Sequence, residues 1–206
     1  MSCRRYSSVP SIQDILPPVN VTDLRHYVRI YDGDLPATVC ERMMDSFRAL
    51  SRFHQANGRG HRAALENSAW TELNVTGLSD DSFLGFFRAR IDLALDRYNR
   101  DIGLDIEVPN SPKTADLILK RYRPGADEQF QQHFDSIHEV ANRYLVLLWY
   151  LNEVAQGGET EFRQLDIRVA ARQGRLLVFP PYWMFQHAGL PPLSGEKYIL
   201  STYLLF

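Results

Sequence analysis

The chain has 206 residues, with 23 Lys+Arg against 25 Asp+Glu, a formal net charge of -2 and 45% hydrophobic residues. That length is enough to bury about 70% of the unfolded surface, and the near-neutral charge excludes a global basic field for nucleic acid or a polybasic membrane module. Two cysteines, Cys3 and Cys40, are too few for a disulfide framework or a thiolate metal cage, and the longest apolar run, Tyr144 to Leu151, is far too short to span a bilayer.

Arg4 and Arg5 are not followed by an apolar export segment, so the expectation is a soluble, cytoplasmic protein. Residues 1–25 carry Pro10, Pro17 and Pro18 and read as an irregular arm. Tyr27–Tyr31 fits a short strand, ended by Asp32-Gly33-Asp34. Pro36 then opens a helix on which Val39, Met43, Phe47 and Leu50 recur at helical spacing. Residues 54–69 have no sustained period and read as a mobile loop, carrying His54, Arg59, His61 and Arg62. Trp70–Val75 reads as a strand.

A second helix starts at Ser79-Asp80-Asp81, an N-cap with an acidic first turn. Phe83, Phe87, Ile91, Ala94, Tyr98 and Ile102 form its apolar stripe, and Gly103 stands where a C-terminal cap belongs. After Pro109 and Pro112 the pattern changes to eight short β-prone segments. These are Leu117–Tyr122, Gln131–Asp135, Tyr144–Asn152, Glu159–Phe162, Ile167–Ala171, Arg175–Phe179, Phe185–Ala188 and Lys197–Leu205, separated by Gly and Pro turn signals. The expected fold is mainly β with flanking helices (α+β), a sandwich or jelly-roll barrel with the N-terminal helices packed on one sheet. Residues 1–206 read as a single domain, 1–112 as helical support with a substrate loop and 113–206 as the β core.

On a strand, His133 and Asp135 project to one face, a few ångströms apart. His187, on the seventh predicted strand, is the candidate third ligand of a facial set such as non-haem Fe(II) oxygenases use. His-x-Asp alone is common, and a surface pair beside a satisfied core histidine is the blander alternative. Lys197 shifts that balance. It opens a strand apolar on both faces, where a buried ammonium needs an anionic partner. Ser201 lies on the same face, and no Asp or Glu is an obvious internal partner, so a bound dicarboxylate would fit. The alternative is that Lys197 snorkels to water at the strand mouth. His138 has the wrong strand parity for a ligand, and His26, His54 and His61 read as surface histidines.

The ordered set Tyr122, His133-x-Asp135, Tyr150-Leu151-Asn152, Gly157-Gly158-Glu159-Thr160, Gly174-Arg175-Leu176-Leu177-Val178-Phe179, His187 and Lys197 resembles the prolyl 4-hydroxylase-like branch of the Fe(II)/2-oxoglutarate-dependent dioxygenases. The resemblance runs from about Leu117 to Leu205. It implies a double-stranded β-helix core, with His133, Asp135 and His187 as catalytic iron ligands. It also implies that Lys197 pairs with the distal carboxylate of 2-oxoglutarate, and that Tyr122, Tyr150 and Ser201 line its pocket. The loop between Tyr122 and His133 is slightly longer than in many members, which makes Tyr122 the softer assignment.

The implied cofactors are Fe(II), 2-oxoglutarate and O2, with ascorbate as a stimulant and succinate and CO2 as products. A carboxylate at Asp135 favours hydroxylation over halogenation, which needs a small residue there. The leading substrate is a prolyl residue in a peptide or protein, with Trp70, Trp149, Tyr182 and Trp183 as a candidate apolar wall. Two alternatives stand beside it: the same chemistry on a small molecule such as a free amino acid or natural-product scaffold, and a non-catalytic jelly-roll module binding a metal or ligand. Nucleobase demethylation is disfavoured by the charge balance. No nucleic-acid or membrane partner is expected, and the sequence leaves the oligomeric state open.

Overall fold

A computed structural model describes residues 23–61 and 64–206. The expectations for Cys3, for Arg62 and for the arm preceding Asp23 lie outside the described residues. The chain enters through a 3-10 turn at Leu24–Tyr27, where the Asp23 carboxylate accepts from the Arg25 N–H, and continues into strand β1 (Arg29–Tyr31). The predicted strand thus loses its first two residues to that capped turn. Helix α1 (Ala37–Ala49) follows Pro36, whose φ of -59° and missing N–H suit a helix threshold. Its buried stripe is Cys40, Met43, Met44 and Phe47.

Residues 54–69 contain a strand where the sequence read only a loop. Strand β2 (Gln55–Gly58) pairs antiparallel with β3 (Ala69–Asn74), Gln55 opposite Glu72 and Gly58 opposite Ala69. Gln-Ala-Asn-Gly has little intrinsic β preference, so pairing with β3 decides its conformation. Gly58 is required there: its φ is +91°, and a Cβ would stand 2.3 Å from the Ser68 carbonyl oxygen. Helix α2 (Asp81–Ile102) forms as its pattern predicts, with the Asp80 carboxylate accepting from the Phe83 N–H and Gly103 closing it at a φ of +60°.

All eight predicted C-terminal strands form: β4 (Ile118–Tyr122), β5 (Phe130–His133), β6 (Arg143–Tyr150), β7 (Thr160–Phe162), β8 (Ile167–Val169), β9 (Leu176–Phe179), β10 (His187–Gly189) and β11 (Lys197–Leu205). All but β11 shift by one or two residues at an end, and two of the shifts bear on the site. β5 ends at His133 rather than Asp135, and the start of the seventh segment is a 3-10 turn, Trp183–Phe185. The strands form two antiparallel sheets, ordered β1-β9-β6-β11-β4-β3-β2 and β5-β10-β7-β8. Four of the larger sheet's strands (β9, β6, β11, β4) face the four of the smaller one, the arrangement of a double-stranded β-helix. The N-terminal strands extend both edges of the larger sheet.

Strand parity sorts the larger sheet's side chains into two cores. Leu145, Leu147 and Trp149 of β6, Leu176 and Val178 of β9, and Tyr198, Leu200 and Leu204 of β11 share one core with the buried stripes of α1 and α2. The alternate residues Val146, Leu148, Tyr150, Leu177, Phe179 and Ile199 face the smaller sheet's Phe162 and Val169. Burying a large apolar side chain stabilises by roughly 1.5–3 kcal/mol, so both faces hold the sheet in one register.

The lead-in is tied to this frame at Gly174-Arg175. Arg175 grips Asp32 with both Nε (2.6 Å) and Nη2 (3.0 Å). Gly174, at a φ of +75°, lets Leu35 approach closely enough for its N–H to donate to the Gly174 carbonyl at 3.1 Å. No described helix is long and apolar enough to cross a membrane.

Candidate metal centre

β5 and β10 are antiparallel neighbours, with His187 directly opposite His133. Their rings lie 4.3 Å apart between centroids. Asp135 joins them from beyond the end of β5. Its N–H and that of Ser136 both donate to the Pro181 carbonyl, at 2.9 and 3.0 Å, so a turn rather than the pleat delivers the carboxylate. Asp135 Oδ1 is 3.5 Å from His133 Nε2, and Oδ2 is 3.4 Å from His187 Nε2. One candidate ligand atom from each of the three lies within 4.8 Å of the others.

Both imidazoles are oriented by main chain. His133 Nδ1 faces the Gln131 carbonyl at 2.7 Å, and His187 Nδ1 faces that of Phe185 at 3.1 Å. As donors to these carbonyls the Nδ1 atoms carry the hydrogens, leaving both Nε2 lone pairs toward Asp135. Phe130 stacks on His133 at 3.6 Å, and Phe179 and Phe162 flank His187. Burial lowers the His187 pKa to about 4, with His133 adding to the effect and Asp135 opposing it, so its imidazole is neutral at pH 7. Burial would raise the Asp135 pKa, but the neighbouring His187 and His133 outweigh it and hold the carboxyl below the usual range. Two imidazoles and a carboxylate, converging from one side, are a donor set suited to a divalent transition metal with positions left open.

A second group of residues opens into the same cavity. Lys197 pairs across β11–β4 with Tyr122, and Ser201 lies four residues further along the same face. Lys197 is 1% exposed, and among the described residues no hydrogen bond or ion pair holds its ammonium. The Tyr122 and Tyr150 ring centroids lie 5.3 and 5.8 Å away. Burial pulls the Lys197 pKa down to about 7, Glu159 opposing and Lys120 reinforcing. The Ser201 hydroxyl is buried without a hydrogen-bond partner among the described residues. An unpaired ammonium and an orphaned hydroxyl on one strand fit an anionic ligand, as the sequence suggested. Tyr150 differs from Tyr122, Lys197 and Ser201 in not lining the cavity: its hydroxyl donates to Thr160 at 2.6 Å, and its ring backs Lys197.

The other candidates separate cleanly. His138 sits exposed in a 3-10 turn outside the cluster. His26 and His54 are half-buried rather than surface residues, each bonded to a main-chain carbonyl (Ile102 and Phe47), whereas His61 is exposed. The four aromatics of the suggested wall do not come together. Trp149 faces the helices, its Nε1 donating to Asp34 at 2.7 Å, because odd-numbered β6 positions point away from the smaller sheet. Tyr182 packs against that same core, Trp70 backs Phe130, and Trp183 is 64% exposed.

The lining residues that escaped the sequence reading include Lys120, Phe130 and Tyr203. Lys120 lies 5.6 Å from the ring centroids of both Trp70 and Phe130. Tyr203 donates its hydroxyl to Asp135 Oδ1 at 3.0 Å. Parity alone would have found Tyr203, which follows Lys197 and Ser201 at even spacing on β11.

Residues 117–205 match the family model described as "2OG-Fe(II) oxygenase superfamily". A protein of Acanthamoeba polyphaga mimivirus named "Putative prolyl 4-hydroxylase" is 31% identical over 107 residues, covering 43% of each chain; the match thus spans less than half of that relative's length. A Pseudomonas putida prolyl-4-hydroxylase structure superposes with a TM-score of 0.64 at 20% identity, covering 89% of this chain and 95% of that one. A Trichoplax adhaerens prolyl hydroxylase, in complex with a hypoxia inducible factor oxygen degradation domain peptide fragment, gives 0.67 at 15% identity, covering 87% and 84%. At these identities the two structures establish a shared fold.

Proposed function

We propose, from the match of residues 117–205 to the 2OG-Fe(II) oxygenase superfamily, that the protein is an Fe(II)- and 2-oxoglutarate-dependent dioxygenase hydroxylating a prolyl residue of a peptide or protein. One observation carries this reading: the His133–Asp135–His187 cluster shares its cavity with a buried ammonium that has no ion-pair partner and a buried hydroxyl that has no hydrogen-bond partner among the described residues. When bound, iron and 2-oxoglutarate supply the oxidising chemistry, consuming dioxygen and releasing succinate and carbon dioxide.

The chain's own residues bind and orient. His133 and His187 offer Nε2, each fixed by a carbonyl at Nδ1, and Asp135 offers a carboxylate that stays ionised. Lys197 would hold the far carboxylate of 2-oxoglutarate, Ser201 would donate its hydroxyl to the same group, and Tyr122 would form the adjoining wall. Phe130, Phe162 and Phe179 exclude water around the imidazoles. A peptide substrate is supported by the mimivirus relative's name and by the peptide bound to the Trichoplax hydroxylase. The exposed Trp183, two residues beyond the carbonyl that anchors Asp135, supplies an apolar rim against which a peptide can lie.

The test is succinate production from 2-oxoglutarate by protein loaded with Fe(II) and ascorbate, with mass spectrometry of proline-containing peptides for one added oxygen. His133→Ala and Asp135→Ala should each abolish turnover. Absence of succinate from iron-loaded wild type, even uncoupled, overturns the enzymatic reading. Added oxygen found only on residues other than proline overturns the substrate.

A further inference from the structure

Asp135 is gripped at two points by residues outside the metal-binding set. Tyr203 donates to Oδ1 at 3.0 Å. The Arg143 guanidinium covers the Tyr203 ring at 3.8 Å from its centroid, and Arg143 Nη1 donates to the Asp135 main-chain carbonyl at 3.3 Å. Arg143 begins β6 and Tyr203 lies near the end of β11, on strands whose register places Arg143 opposite Leu205. The larger sheet therefore reaches across the cavity to hold a residue that extends the smaller sheet's β5.

The two carboxylate oxygens are consequently unlike. Each faces one imidazole, Oδ1 at 3.5 Å from His133 Nε2 and Oδ2 at 3.4 Å from His187 Nε2, but Oδ1 alone also accepts the Tyr203 hydroxyl. A carboxylate can bind a metal through one oxygen or chelate through both. With two imidazoles, one-oxygen binding occupies three of about six positions of an octahedral ion. Chelation occupies four, and a cosubstrate taking two positions would then fill the shell.

Resting on the function proposed above, we infer that Tyr203 is a positioning residue, whose hydrogen bond restricts Asp135 to one-oxygen ligation through Oδ2 and so keeps a coordination position open. It touches neither the cosubstrate nor the reacting atoms in this scheme; it acts through Asp135. Removing its hydroxyl frees Oδ1 to join Oδ2 on the metal.

The test uses Tyr203→Phe in the full chain loaded with Co(II), whose visible d–d bands report coordination number without turnover. The expected result is a changed Co(II) spectrum in the presence of 2-oxoglutarate, and a turnover of the Fe(II) form reduced about 10- to 100-fold, the usual scale for residues supporting a metal ligand. Tyr203→Trp keeps an aromatic plate and one N–H donor, and should move the spectrum back toward wild type; it also serves if the Phe variant fails to fold. A wild-type spectrum in Tyr203→Phe, with or without a lowered melting temperature, assigns Tyr203 to packing alone and overturns the inference. Because the Co(II) spectrum needs no reaction, a wild type that forms no succinate would overturn the proposed function while leaving this comparison decisive.

Discussion

Replacing Lys197 with methionine should make the ligand-free protein more stable and weaken its binding of 2-oxoglutarate. The side chain is 1% exposed and its ammonium has no carboxylate partner within salt-bridge distance among the described residues. Its pKa falls from 10.5 to about 7 through burial. Each pH unit of that displacement corresponds to about 1.4 kcal/mol, so burying the charged form costs about 5 kcal/mol. The Tyr122 and Tyr150 faces return roughly 1–2 kcal/mol of this, which leaves an expected gain of about 3 kcal/mol for Lys197→Met near pH 6.

The sign follows from proton counts. Below about pH 7 the ammonium is charged in both states and the full penalty applies. Between about 7 and 10.5 the unfolded chain holds the proton more often than the native one, so wild-type stability rises with pH by up to about 1.4 kcal/mol per unit. The advantage of the variant therefore shrinks over that window. Urea denaturation of metal-free wild type and variant near pH 6 and pH 9 measures both points, and calorimetric titration of the metal-loaded forms with 2-oxoglutarate should show at least tenfold weaker binding. A variant less stable than wild type near pH 6, or a gain that does not shrink toward pH 9, would refute the unpaired buried ammonium.

Ser201→Ala removes a buried hydroxyl that has no hydrogen-bond partner among the described residues. The ligand-free protein should gain about 1 kcal/mol in denaturant titrations while 2-oxoglutarate affinity falls about fivefold; a loss of stability with unchanged affinity would exclude Ser201 from the ligand's contacts. Trp149→Phe, on the helical side of β6, forfeits the hydrogen bond to Asp34 and some packed volume. It should cost about 1–3 kcal/mol in the same titrations and leave the KM for 2-oxoglutarate unchanged. A raised KM would place Trp149 in the site after all.

Much of the architecture was legible because patterns and turns agreed. α2 has a capping carboxylate, an apolar stripe at helical spacing and a left-handed glycine, each of which the structure uses. The eight C-terminal strands were marked by β-branched and aromatic runs between Gly and Pro turns. β2 was not legible, because nothing in Gln55–Gly58 favours a strand until β3 lies beside it. The end of β5 was misjudged for a related reason. Asp135 reaches the imidazoles through a turn bonded to Pro181, and a hydrogen bond to a residue 46 positions away leaves no mark on local periodicity.

β11 shows why some site residues could be read and another was passed over. Lys197 and Ser201 drew notice because polar groups in an apolar strand contradict their surroundings; Tyr203 on the same face agreed with its surroundings and raised no question. Opposite them, Tyr198, Leu200 and Leu204 lie in the helical core, and the Thr202 hydroxyl donates to the Ala115 carbonyl at 2.6 Å. A slip of one residue would exchange the two sets, driving Lys197 among Phe47, Phe87 and Trp149 and moving Leu200 into the cavity. The apolar face therefore does more than stabilise: it fixes the register that delivers an ammonium, a hydroxyl and a phenol to one side. The positions of Lys197, Ser201 and Tyr203 at the cavity are thus set by the packing of α1 and α2 on the reverse of the sheet, although neither helix supplies a residue to the cavity.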